Sequence, residues 1–424
     1  MGTTKLAVNL LFRDFKKNIF YCGSLLFSSA IIFVFFNVMS NPVYGGVDSF
    51  SSSTNTFAGV LSIIVVIIAM MMVFFANSFY LIGKAKELAI TTISGGSVTN
   101  LAGFLFVQNF IIMLVAIPTG ILLGYFINPF INSIVYNSMG VSANPWDIFP
   151  IGVTYTIISI VTEIVWVVIV DTGYAYRTSL LDLLSAEKTM ETRKKNTLKI
   201  SLLVYVILFV VPIYMLLSSE ANFEVFIVWV VVASPGITGI LEFVIPEMLV
   251  KIQRKYSLNK KYSLVALGNF NHSIKKSGTL VIMSIISFSF LVSFMCQYID
   301  QPNYLVLIIM AYIVLVFLMA ISSIYKIIVE ATLRANSFKH LKMLGYTIKE
   351  IKKMIQIEII GIWSVIVLFP LIYVGIIFFK FIQATIVTSL FALNIISIYV
   401  VVFTICCLVA YFTYVKLVLS GRDR

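Results

Sequence analysis

The sequence predicts an all-α polytopic membrane protein with about ten transmembrane helices. The chain is 60% hydrophobic and only 11% charged, and its mean hydropathy is +1.03. A soluble protein of 424 residues needs far more charge to cover its surface. Apolar runs of about 20 residues recur along the chain, which is the length that crosses a bilayer as a helix.

The elements follow in a regular order. Residues 4–18 form a short basic amphipathic stretch, which predicts an interfacial helix before the first span. The apolar runs then predict ten spans. We place them near residues 19–39, 57–80, 103–127, 149–170, 199–217, 223–245, 279–298, 304–327, 357–379 and 388–414.

The distribution of basic residues predicts cytoplasmic N- and C-termini. With that orientation, Lys and Arg clusters fall on the inner side of the membrane and only Lys380 lies outside. If the predicted topology is shifted by one span, these Lys and Arg clusters lie on the outer side of the membrane. The formal net charge of +12 is therefore interpreted as a topology signal and a contact with anionic membrane lipids, with no nucleic acid partner.

The polar segment at residues 330–358 separates two long apolar runs. Its isoleucines recur at helical spacing while lysines occupy the other faces, which predicts an amphipathic helix. Gly345 suits the position after a helix end, and Thr347 suits the cap of the next helix. The segment therefore predicts a helix, a sharp turn and a second helix that enters the membrane.

A weaker copy of this pattern lies earlier in the chain. Residues 85–97 align without gaps on residues 335–347, so that Gly95 matches Gly345, and Gln108 matches Glu358 further on. Residues 7–17 likewise align on residues 266–276, and both end in a Lys pair. The order of these copies predicts a parallel internal repeat about an axis along the membrane normal.

The repeat predicts a 4+2+4 arrangement of spans. A first four-span repeat with its N-terminal interfacial helix occupies residues 1–198. Two linking spans occupy residues 199–262, and a second four-span repeat occupies residues 263–424.

These motifs resemble the FtsX/MacB-like family of ABC transporter permeases. In that family a charged helix is followed by an L-x-x-L-G-A-S/T turn and a basic helix that enters a Glu-bearing span. Residues 341–347, LKMLGYT, with Glu358 match it well, whereas residues 92–97, TISGGS, with Gln108 form a degenerate copy. The 4+2+4 layout is similar to the BceB-type permeases of bacitracin and antimicrobial peptide resistance. Those permeases carry a large extracellular domain between spans seven and eight, where this chain has only residues 299–304.

The resemblance implies a bacterial cell membrane protein that works with a separate MacB/BceA-like ATPase, two copies per chain. The chain has no G-x-x-x-x-G-K-[ST] motif, so we expect no enzyme activity and no cofactor on it, with ATP and Mg²⁺ on the partner ATPase. The resemblance further implies handling of amphipathic peptide or lipid-linked substrates at the outer leaflet. This means antimicrobial peptide resistance or export, with a sensor histidine kinase as a further partner.

The two cytoplasmic helices are the predicted docking points for the ATPase, because a helix held between two spans can transmit a tilt into the membrane. Ordinary interfacial helices lying on lipid are the alternative interpretation. The predicted docking residues are Lys86, Glu87, Leu88, Ile93 and Gly95 in the first segment and Phe338, Leu341, Met343, Leu344 and Gly345 in the second.

Three carboxylates in or near the spans, Glu163, Glu242 and Glu358, are functional candidates because an intramembrane charge is costly unless it is paired. We expect Glu358 to join a network with Lys352 or Lys353. We expect no catalytic residue. We also expect no metal site, since the chain has only two histidines that could act as metal ligands. Two other functions remain open: an FtsX-like signalling relay to a sensor kinase or wall hydrolase, and an ion-driven secondary transporter that depends on Glu163.

Overall fold

A computed structural model describes residues 3–13, 15–42, 53–140, 142–177, 201–256 and 261–420. Within these ranges the ordered elements are all helices, and nine of them are long and apolar enough to cross a membrane. The predicted all-α polytopic membrane class is thereby confirmed. The remaining predicted span, residues 199–217, corresponds to an apolar helix at Leu202–Ser218. Its 17 residues stand at the lower limit for crossing a bilayer.

The chain divides into two compact units, Met1–Lys195 and Asn196–Arg424. The first unit contains five described helices. They are α1 (Thr3–Arg13), α2 (Phe15–Met39), α3 (Ser53–Ile93), α4 (Val98–Met139) and α5 (Pro150–Arg177).

Helix α2 forms the centre of the first unit. Glycines of α4 and α5 let these helices approach the α2 backbone closely, as small residues do between membrane helices. A Cβ atom at Gly120 would lie 2.4 Å from the carbonyl oxygen of Leu26, and one at Gly124 would lie 2.8 Å from that of Ala30. Gly152 of α5 makes a similar approach. Larger side chains at these positions would push the helices apart.

In its described residues the second unit contains eight α-helices. They are α6 (Leu202–Ser218), α7 (Phe223–Gly239), α8 (Ile245–Tyr256), α9 (Lys261–Lys275), α10 (Gly278–Gln297), α11 (Pro302–Met343), α12 (Ile348–Gln383) and α13 (Ser389–Ser420). A short π-helix, Ile240–Val244, joins α7 to α8.

Aromatic packing fills the core of the second unit and supports a proline inside α12. Pro370 has no N–H, so the carbonyl of Ile366 one turn earlier lacks its helical donor. The hydroxyl of Tyr399 on α13 donates to this carbonyl at 3.0 Å. The ring of Tyr399 also packs edge-on against Phe288 of α10, with ring centroids 4.7 Å apart.

The spanning helices that lead into the two Gly turns are continuous. Helix α3 has 41 residues and α11 has 42, so each is about 60 Å long, twice the roughly 30 Å of bilayer hydrocarbon. The helix predicted before Gly345 is therefore not a separate element but the end of α11. The physical reason is that residues 303–343 contain no Gly or Pro to break the helix.

Candidate functional site

Each unit contains a helix hairpin, and the two hairpin turns have the same backbone geometry. Gly95 in the first turn (residues 94–97) and Gly345 in the second turn (residues 344–347) adopt φ values of +84° and +93°. In both turns the Gly amide donates to the carbonyl three residues earlier, and the next amide donates to the carbonyl five residues earlier, at 3.0–3.2 Å. This pair of bonds ends a helix where a left-handed residue reverses the chain.

Both turns also start the following helix with a side-chain cap. The Ser97 side chain accepts a hydrogen bond from the amide of Asn100 at 3.3 Å. The Thr347 hydroxyl accepts from the amide of Glu350 at 3.3 Å, and the Glu350 carboxylate accepts from the amide of Thr347 at 2.8 Å. This reciprocal pair is a capping box. The turn and cap predicted at Gly345 and Thr347 are therefore confirmed.

The predicted docking residues divide into exposed and buried groups. Ile93, Met343 and Leu344 are exposed, with 63%, 71% and 77% of their surface accessible. Leu88 and Phe338 are buried, so these two side chains support the hairpins from within. Gly95 and Gly345 lie in the turns, and Glu87 and Leu341 are partly buried. The side chain of Lys86 lies outside the described residues.

Four charged side chains form an ion cluster in the second unit, about three to five helical turns from the second turn. Lys326, Glu330 and Arg334 lie one turn apart on α11, and Glu358 lies on α12. The Nζ of Lys326 is 3.8 Å from the Oε1 of Glu330, and Arg334 forms an ion pair with Glu358. Two cations thus face two carboxylates, and all but Arg334 are under 6% exposed at the side chain or fully buried.

The ion cluster extends to α9 through Ser273. The hydroxyl of Ser273 donates to the Oε2 of Glu330 at 2.6 Å, and the Nη2 of Arg334 donates to the oxygen of Ser273 at 2.9 Å. The Nζ of Lys326 donates to the backbone carbonyl of Ser273 at 3.2 Å. Helices α9, α11 and α12 are therefore joined by one polar network, which holds the second hairpin against α9.

The predicted partner of Glu358 was wrong. Glu358 is fully buried and pairs with Arg334, whereas Lys352 and Lys353 are exposed. The ammonium of Lys353 instead lies over the ring of Tyr262, 4.9 Å from its centroid. The reason is the helical period, because Lys352 and Lys353 lie on the faces of α12 that point away from its buried stripe.

The pKa of His272, which lies on α9 outside the spans, is shifted by its burial and by the charges around it. Burial of His272, followed by the positive charges of Lys276 and Arg334, lowers its pKa to about 4. His272 is therefore neutral near pH 7 and adds no charge beside the ion cluster.

The first unit has a less charged network at the corresponding hairpin. Lys84 and Glu87 form an ion pair at 2.8 Å within α3. The hydroxyl of Tyr80 donates to the side-chain carbonyl of Gln108 at 2.8 Å, and the amide of Gln108 donates to the backbone carbonyl of Ala7 at 3.0 Å. The helix after the first turn is thus linked to the short N-terminal helix α1.

Two carboxyl groups lie deep in the first unit. Glu163 on α5 is 2% exposed, and it accepts a hydrogen bond from the hydroxyl of Ser28 on α2 at 2.7 Å. Asp171, two turns further along α5, accepts from the amide of Asn77 at 2.7 Å and from the amide of Asn109. Each carboxyl therefore has neutral partners from other helices, which reduces the cost of its burial.

Glu242 stands apart from these networks. It lies in the π-helix Ile240–Val244 and is partly buried, and the next residue, Phe243, stacks on the ring of Tyr205. Glu242 and Glu358 lie on different elements of the second unit. In the part of the chain that the structure describes, no group of three His, Cys, Asp or Glu residues could hold a metal ion.

Sequence reasoning missed several of the polar residues. Asp171 was placed just beyond the fourth predicted span, although it continues an apolar run with Glu163 at a spacing of eight residues. Lys326 and Arg334 are among the basic residues predicted on the inner side of the membrane, and Glu330 begins the polar segment at residues 330–358. Their i, i+4, i+8 spacing with alternating sign was the signal for a shared helix face.

Comparison with protein-family models and with curated proteins found no match to this chain.

Proposed function

We propose that this chain is the permease subunit of a mechanotransmission-type ABC transporter and works with a separate ATPase. The observation that carries the proposal is the repeated hairpin turn. In both units a Gly with positive φ and a Ser or Thr cap occur at the same spacing, with the same hydrogen bonds. Two such turns at matched positions suit two copies of one partner.

The hairpins are suited to transmit force because the helices that lead into their turns are unbroken and because side-chain networks link them to neighbouring helices. A rigid helix of about 60 Å moves at both ends when one end is pushed, and α11 has no break along its 42 residues. The ion cluster ties α11 to α9 and α12. Closure of an ATPase against the turn would therefore tilt several spans together.

The proposed substrates are amphipathic peptides or lipid-linked molecules at the outer leaflet of a bacterial cell membrane, and the proposed outcome is antimicrobial peptide resistance or export. The support is the family resemblance of residues 341–347 together with the short outer loops. The N- and C-termini lie in the cytoplasm in this proposal, and a sensor histidine kinase is a further proposed partner.

Purification of the tagged chain from its native membrane in mild detergent tests the proposal. We expect an ATPase with bound nucleotide and Mg²⁺-dependent ATP hydrolysis, at two copies per chain by native mass spectrometry. An unrelated multi-pass protein purified in parallel is the control. Recovery of the intact chain without any ATPase would contradict the proposal.

A second candidate function, an ion-driven secondary transporter, is favoured by the buried carboxyls Glu163 and Asp171. Intramembrane carboxyl groups commonly carry protons or cations in transporters. In this case Glu163→Gln would abolish ion flux in liposomes, whereas the ABC proposal expects ATP hydrolysis by the complex to survive the change.

A further inference from the structure

Three polar side chains from three helices of the first unit meet at one buried point. Asp171 lies on α5, Asn77 on α3 and Asn109 on α4. Each is at most 3% exposed, and each falls within a candidate membrane span. These three side chains, here called the Asp171 cluster, place a carboxyl group inside the helix bundle, where an isolated charge is costly.

The hydrogen bonds of the Asp171 cluster suit an ionised carboxylate. The Nδ2 of Asn77 donates to the Oδ1 of Asp171 at 2.7 Å, and the Nδ2 of Asn109 donates to the Oδ2 of Asp171. Both oxygens of Asp171 therefore accept, whereas a protonated carboxyl would use one oxygen as a donor. A carboxylate has about four acceptor sites, so about two remain after these two bonds.

The basic side chains described in the first unit do not pair with Asp171. They belong to Lys5, Lys84 and Arg177. Lys84 forms an ion pair with Glu87, and Lys5 and Arg177 are exposed. Among the described residues the Asp171 carboxylate thus has only amide partners, and its buried negative charge attracts a cation.

The amides of the Asp171 cluster supply further oxygen ligands. The Oδ1 of Asn109 is buried and has no hydrogen-bond partner among the described residues. It belongs to the amide group whose nitrogen contacts both Asp171 and the Oδ1 of Asn77, the latter at 3.4 Å. Because the last bond of an Asn side chain turns readily, this oxygen can face the carboxylate. A buried acceptor in that position needs a donor or a cation.

We infer that the Asp171 cluster binds Na⁺ through the carboxylate of Asp171 and the side-chain carbonyls of Asn77 and Asn109. Oxygen donors of this kind bind hard cations, as backbone carbonyls do for Na⁺ inside transporters. One carboxylate balances one positive charge, whereas a divalent cation would leave a net charge buried between the helices. The bound ion links α3, α4 and α5. The inference goes beyond the proposed function, because binding needs neither an ATPase nor ion transport.

Thermal unfolding of the detergent-purified full chain provides the first test. The melting temperature in NaCl is compared with that in KCl and in choline chloride at the same ionic strength. It is expected to be higher by about 5 °C or more when Na⁺ reaches about 100 times its dissociation constant. Asp171→Asn is expected to remove this difference, because it removes the charge that holds the ion. The matched control, Asp147→Asn, changes an exposed carboxylate of the same unit and is expected to keep it.

Direct binding and a second variant test the site even if Asp171→Asn does not fold. The unaltered chain is expected to bind a single radioactive sodium ion, which unlabelled NaCl displaces and KCl does not. Asn109→Asp places a second carboxylate beside Asp171. Because two carboxylates balance a divalent cation, Ca²⁺ is expected to raise the melting temperature of this variant more than Na⁺ does.

Equal melting temperatures of the unaltered chain in NaCl and KCl, or a sodium effect that survives Asp171→Asn, would overturn the inference. If a lower pH stabilises the chain and Na⁺ does not, Asp171 holds a proton and the inference is wrong. Failure of the proposed function has a different result, since the unaltered chain then retains no ATPase whatever its response to Na⁺. Likewise, a chain that binds Na⁺ but carries no ion flux in liposomes would exclude only the second candidate function.

Discussion

Removal of one charge from the ion cluster should destabilise the second unit strongly. In the variant Arg334→Met, Glu358 loses its ion-pair partner while its side chain stays fully buried. An unpaired buried charge costs about 3–5 kcal/mol. For a unit of roughly 200 residues, about 2–4 °C is lost per kcal/mol, so we expect the melting temperature to fall on the order of 10 °C.

The double variant Arg334→Met with Glu358→Met provides the matched control. It leaves Lys326 and Glu330 as a neutral pair, so most of the lost stability should return. Thermal unfolding of the detergent-purified chain, followed by tryptophan fluorescence, measures all four members of this double-mutant cycle. If the double variant is as unstable as the sum of the two single variants, the pair does not interact and the account of the cluster is wrong.

Three other perturbations have defined expected results. Gly124→Val should destabilise the first unit by about 1–3 kcal/mol, because its Cβ would lie 2.8 Å from the carbonyl oxygen of Ala30; a melting temperature equal to that of the unaltered chain would contradict the packing. Glu163→Gln should keep the fold, since its side-chain carbonyl still accepts from Ser28, and a large loss of thermal stability would show that the carboxylate itself is required. Because burial lowers the pKa of His272 to about 4 from an unfolded value of about 6.5, stability should decrease as the pH falls from about 6.5 towards 4. His272→Gln should remove that part of the pH dependence, and an identical pH profile for the variant would exclude this histidine as its source.

Local patterns predicted the helical architecture well. Apolar runs mark the spans because every buried backbone group must bond within its own helix in lipid. The second turn was predicted from Gly345 and Thr347, since a positive φ favours glycine and a free first-turn amide favours a hydroxyl acceptor. The first turn was harder to find because the residues around it, TISGGS, carry a weaker pattern.

Partners between helices were not predictable from one sequence. The pairing of Arg334 with Glu358 joins positions 24 residues apart on two helices, and only the hairpin geometry brings them together. Lys352 and Lys353 are nearer in sequence, but they occupy exposed faces of α12. The prediction that Glu358 pairs with a lysine close to it in sequence was therefore wrong.

Burial at the hairpins was also beyond sequence reasoning. Leu88 and Phe338 have the apolar character expected of docking residues, yet both pack inward. Phe338 contacts the ring of Tyr414 on α13 edge-on, with centroids 6.1 Å apart. An amphipathic pattern identifies an apolar face but does not tell whether the chain itself or a partner covers that face.

Site-specific photo-crosslinking at the second turn tests the central claim most directly. A photoreactive amino acid at Met343, which is 71% exposed, is irradiated in the native membrane. The same substitution at Ile386, exposed in the turn between α12 and α13, serves as the control. The account predicts a crosslink from position 343 to an ATPase subunit and none from position 386. Crosslinks from position 343 to lipid alone, or to the ATPase equally from both positions, would contradict it.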